Sequence, residues 1–137
     1  MSTRNFALMA GVIFLLVGIM GFLPGLRTTP PGDVPHVAVD AAYGYLFGLF
    51  PVNVIHNFVH MAIGAWGIAA YRTLPRAAGF ARGLTIIYAI FAIMGFIPAL
   101  NNVGGLVPLF GHDIWLHALT AAVAAYFGFA HQRSEAT

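Results

Sequence analysis

Four stretches of this chain, at about residues 6–26, 53–71, 83–100 and 114–130, are close to twenty residues long and almost wholly apolar. A helix of about 20 such residues crosses a ~30 Å hydrocarbon layer, so each window is a candidate membrane span. Of the 137 residues 60% are hydrophobic and only 7% charged, more apolar surface than a single soluble core of this size can hide. The expected fold class is therefore all-α: an integral membrane four-helix bundle forming one transmembrane domain over residues 1–137. Arg4 ahead of the first window resembles a secretory leader, but the apolar run is too long for one and "GFLPGL" is a poor cleavage site, so a retained helix is expected.

The charges orient the spans. Arg4 precedes the first, Arg72, Arg76 and Arg82 lie between the second and third, and Arg133 follows the fourth, whereas the other connections hold only Arg27. The positive-inside rule then puts both termini and the middle loop in the cytoplasm, with "QRSEAT" as a short cytoplasmic tail. Six arginines and four acids are too sparse for a nucleic-acid face. The absence of cysteine excludes disulfides, thiolate metal sites, iron–sulfur ligation and thiol catalysis.

The two halves resemble each other. "GIMGFLPGL" closes the first span and "AIMGFIPAL" the third, and "LFGLFPVNVIHN" aligns without gaps to "LVPLFGHDIWLH", pairing Asn53 with Asp113 and Asn57 with His117. Repeats of two helices preserve direction across the membrane, so the bundle is expected to consist of two parallel two-helix repeats related by an axis along the membrane normal. The aromatic stretch "AAYGYLFGLFP" after the proline-rich outer loop is expected to lie in the membrane interface.

Polar residues concentrate where the second and fourth spans begin. Asn53, His56 and His60 share one helix face, Asn57 points about 100° aside, and in the fourth span Asp113 is placed as an N-cap or first-turn acid with His117 one turn deeper. If the halves face each other, Asn53, His56, Asn57, His60, Asp113 and His117 gather near the outer face, with Asn101 and Asn102 at the mouth. Three uses compete. As structural glue, Asn53, Asn57 and Asp113 cap and cross-link helices, helped by small residues such as Gly64, Ala65, Gly67 and Ala69 in the second span and Ala121, Ala122 and Ala124 in the fourth; His60→Ala then loses stability. As cofactor ligands, His56, His60 and His117 hold haem, chlorophyll or a metal ion, a bis-histidine haem requiring His56 or His60 opposite His117. As a proton or small-molecule path, the cluster lacks continuation through the apolar inner half.

The remaining histidines, His36, His112 and His131, fall in loops or at a helix end, where they read as solvated groups. No nucleophile elbow, phosphate loop, paired carboxylates or HExxH is present, so no enzyme and no resident metal are expected.

"LFGLFPVNVIHNFVHMAIGAWG" followed by "LFGHDIWLHALTA" resembles the bacterial four-helix membrane proteins grouped as domain of unknown function 4383, over about residues 5–130. The matching motif positions are Asn53, His56, Asn57, His60, Asp113 and His117. The resemblance implies a membrane fold and location and supplies no activity. The expectation drawn from all this is a non-enzymatic, multi-pass protein of the bacterial inner or other energy-coupling membrane. It is structural or an accessory subunit of a larger complex, its partners being lipid and other membrane subunits. No cofactor is expected, with haem or chlorophyll binding as the alternative and transport as the second.

Overall fold

The computed structural model describes residues 1–131, and Arg133 and the tail lie outside the described residues. Four helices make up most of it: α1 (Thr3–Met20), α2 (Val54–Ala70), α3 (Leu74–Phe96) and α4 (Asp113–Ala125), the last running on as a π-helical segment, Tyr126–His131. Thr3–Met20, Leu74–Phe96 and Asp113–His131 are long and apolar enough to cross a membrane. The fourth helix, α2, is apolar but stops at 17 residues.

Local chemistry explains the helix limits. Ser2 caps α1 by accepting from the Asn5 amide, and Asn53 caps α2 by accepting from the His56 amide at 3.0 Å. Pro75 sits in the first turn of α3, where its missing N–H costs nothing. Consequently α3 begins at Leu74 rather than near residue 83, and its arginines are carried on the helix: Arg76 is exposed and the Arg82 Nε donates to the Gly128 carbonyl at 2.9 Å. The first apolar window is shortened instead. The helix ends at Met20, not 26, because Pro24 forces the residue before it into extended backbone, and Pro24–Leu26 forms a 3-10 turn.

The expectation of an all-helical chain needs correction. Three short strands, β1 (Arg27–Thr28), β2 (Gly44–Leu46) and β3 (Phe50–Val52), form an antiparallel sheet in sequence order, with Tyr45 opposite Pro51 and Arg27 opposite Leu46. The "YLFGLFP" stretch thus folds as a hairpin. Its turn uses Phe47 and Gly48 at φ 54° and 73°, a left-handed geometry that glycine adopts without strain. β3 runs directly into the Asn53 cap, so the sheet aims the first turn of α2. Among the described residues the second half has no such strands; its connection between α3 and α4 contains a 3-10 turn at Val103–Gly105 instead.

α1 packs mainly on α2, and α3 on α4. Glycines let the first pair touch backbone to backbone: a Cβ on Gly64 would lie 2.5 Å from the Leu15 nitrogen, and one on Gly11 2.6 Å from the Ile68 nitrogen. Ala121 and Ala124 are likewise buried, whereas Ala65, Ala69 and Ala122 face outward and permit no close approach. The apolar core joins all four helices at the end bearing the arginines, around Phe80, Ala81, Leu84 and a stacked Phe6–Phe127 pair with ring centres 4.6 Å apart. The sheet and the long loops occupy the opposite end, and the polar residues lie beneath them.

Candidate functional site

His56 and His60 project from α2, and Asp113 and His117 from α4, into the space between these helices and Tyr88 of α3. His56 is 3% exposed, Asp113 2% and His117 2%. The four-residue spacing on each helix brings these side chains to one face, as the sequence indicates. The His56 and His60 ring centres are 4.5 Å apart, His56 and His117 6.3 Å, and Tyr88 and His117 5.1 Å. The His56 Nδ1 stands 3.8 Å from the Asp113 Oδ2, too far for a hydrogen bond.

One potential ligand atom from each of His56, Asp113 and His117 lies within 4.8 Å of the others. The Nδ1 atoms of His56, His60 and His117 and the Oδ2 of Asp113 are all buried without a hydrogen-bond partner among the described residues. Buried polar atoms in folded proteins nearly always find partners, and each that does not costs about 1–3 kcal/mol. Four such atoms in one place define the site. Asp113 also sits in the first turn of α4, where the helix dipole favours its negative charge.

Two cavities flank these groups, of about 170 and 210 Å³. His60, Tyr88 and His117 line both; Val103, Leu109 and Phe91 close the first, and Phe14, Phe50 and Asp113 border the second. Apart from the histidines, Asp113, Tyr88 and Thr120, the walls are hydrocarbon and aromatic.

Not all of the residues anticipated from the sequence join this group. Asn53 is structural: besides capping α2, its Nδ2 donates to the Val39 carbonyl at 3.0 Å and the Leu106 carbonyl at 2.7 Å, tying both long loops to the helix. Asn57 is buried but lines neither cavity; its side chain lies against Gly21 of the α1 terminus, where any Cβ would collide with it. Asn102 donates to the His36 carbonyl at 2.8 Å, and Asn101 leads into Val103 at the rim of the first cavity. His36 and His112 are exposed, His112 accepting from the Trp115 indole at 2.9 Å, and His131 stacks on Tyr126. Tyr88, fully buried between the cavities, was not anticipated; the one signal for it is a lone hydroxyl-bearing ring in the middle of the apolar run "LTIIYAIFAIM".

The residues that build this site fall within a known family. The chain belongs to the family described as Domain of unknown function (DUF4383), whose model matches residues 4–130. The match spans all four helices and every residue of the site. The family carries no assigned activity, and no curated protein and no solved structure matches the chain.

Proposed function

We propose that this protein is a non-enzymatic, multi-pass membrane protein, an accessory component of a larger membrane assembly, that receives a small guest between α2, α3 and α4. The observation that carries this reading is the group of four unpartnered polar atoms on His56, His60, Asp113 and His117 beside two small cavities. Side chains serving as structural glue are expected to find hydrogen-bond partners, as Asn53 does in two loop carbonyls and the His56 amide. These four do not, and unlike the equally unpartnered Asn57 amide they belong to residues that border the cavities, which favours a site shaped for something else.

The arginine distribution supports an orientation with Arg72 and Arg76 in the cytoplasm and the sheet end outside, so that the guest enters from the outer face. The four helices would form a bundle, and the pairing of α1 with α2 and α3 with α4 agrees with two parallel repeats. The cavity volumes weigh against haem or chlorophyll, since pockets for large organic ligands run to roughly 300–1,000 Å³ and these are about 170 and 210 Å³. The hydrocarbon packing around Phe80 and Leu84 beyond the site weighs against a through-path for protons or solutes.

Purification from the native membrane in mild detergent, followed by native mass spectrometry and an absorption spectrum, tests the reading. Added mass from a guest, lost in His117→Leu, and co-purifying subunits are expected. A chain that carries no guest under any preparation, and whose histidines can be replaced without consequence in the cell, would overturn it.

A further inference from the structure

We infer that the guest is a divalent first-row transition-metal ion held by His56, Asp113 and His117, with its remaining coordination position facing the cavity beside His60 and Tyr88. The inference rests on the guest-site reading above and names its ligand class.

The donor set suits such an ion. Two imidazoles and one carboxylate are the usual nitrogen and oxygen ligands of zinc and of its first-row neighbours, and three protein ligands leave a position open for water or an exogenous ligand. The spacing suits it too. Donors about 2.1 Å from a tetrahedral ion stand roughly 3.4 Å apart, whereas His56 Nδ1 and Asp113 Oδ2 are 3.8 Å apart and all three donors lie within 4.8 Å. Rotamer adjustments of about an ångström would close the shell without moving a helix, because all three side chains start from the same one or two turns of α2 and α4.

Electrostatics point the same way. A carboxylate removed from water needs a cation or several hydrogen bonds if it is to keep its charge. Asp113 Oδ2 has neither a hydrogen bond nor a lysine or arginine beside it among the described residues, and His56 is its one ion-pair neighbour. A divalent ion would satisfy the carboxylate and both unpartnered imidazole nitrogens at once. The charge left on the site would be +1, partly offset in the low-dielectric interior by the carbonyls of Pro51 and Pro108 that face His56. His60 lies one turn deeper and borders both cavities, placing it to bond an exogenous ligand on the metal rather than to complete the triad.

The test uses the full chain, purified without a histidine tag, stripped with chelator and dialysed against Zn²⁺ or Co²⁺. One ion per chain is expected, with Co²⁺ giving the visible bands of a nitrogen- and oxygen-ligated site and either ion raising the thermal midpoint. The near-isosteric variants Asp113→Asn and His117→Gln should each weaken binding by at least tenfold while retaining the helical circular dichroism of the parent. His36→Ala and His112→Ala, at the surface, should leave it unchanged. Absence of stoichiometric binding by the parent chain, or retention of its affinity in folded Asp113→Asn and His117→Gln, overturns the inference. A preparation that binds no metal yet carries another small molecule released by His117→Leu would refute the metal and leave the guest site standing; one with neither would refute both.

Discussion

Two kinds of buried polar residue share the start of α2, and their partners set them apart. Asn53 satisfies its side chain completely, as cap and as donor to two loop carbonyls, so Asn53→Ala should destabilise the protein by about 2–4 kcal/mol in a thermal melt in detergent, the sum of a cap and two hydrogen bonds. His60 and His117 lose nothing comparable when removed, because their Nδ1 atoms have no partner to forfeit. Replacing His117 by leucine should therefore raise the stability of the guest-free protein by about 1–2 kcal/mol, measured in the same melt. A fall of that size would mean the ring is structural glue after all. The sequence made these positions visible as polar intrusions at helical spacing, but spacing alone could not separate Asn53 from His117, since satisfaction depends on carbonyls of Val39 and Leu106 that lie 14 and 53 residues away.

At the scale of elements, helices were legible and the sheet was not. The apolar windows locate α2, and α4 together with its π-helical continuation, to within a residue or two, whereas α3 begins about nine residues earlier than its apolar window, because a helix carrying Arg76 and Arg82 is invisible to a search for unbroken hydrocarbon. The hairpin of β2 and β3 carried a signal in its central glycine, overridden by the aromatic richness of the segment. Gly64→Val should disrupt the α1–α2 contact, lowering the thermal midpoint and the yield of monodisperse protein, because its Cβ has only backbone to displace, 2.5 Å away at Leu15. Tyr45 in β2 is pushed up to about 12, first by burial and then by Tyr43, Asp113 and Asp33. Since the folded chain holds that phenolic proton more tightly than the unfolded one, stability should be flat in this respect below about pH 10 and decline above it. Tyr45→Phe should lessen the decline, read by thermal midpoints between neutral and alkaline pH.

For the whole molecule, orientation is the property that decides who meets the site. The chain has no cysteine, so single replacements report cleanly: in intact cells an impermeant maleimide should label His36→Cys and spare Arg76→Cys until the membrane is opened. The reverse pattern would put the cavities on the cytoplasmic side. By itself the amino-acid sequence determined that this chain is mostly helical with segments long and apolar enough to cross a membrane, because the length of an apolar run and the spacing of side chains on a helix are local quantities. Only the tertiary structure decided that Asn57 turns toward Gly21, that Tyr88 enters the site, and that His56, Asp113 and His117 meet with their polar atoms unpartnered. Those facts depend on how α2, α3 and α4 cross and on a small sheet that fixes where α2 begins, and the distances they settle join residues far apart along the chain.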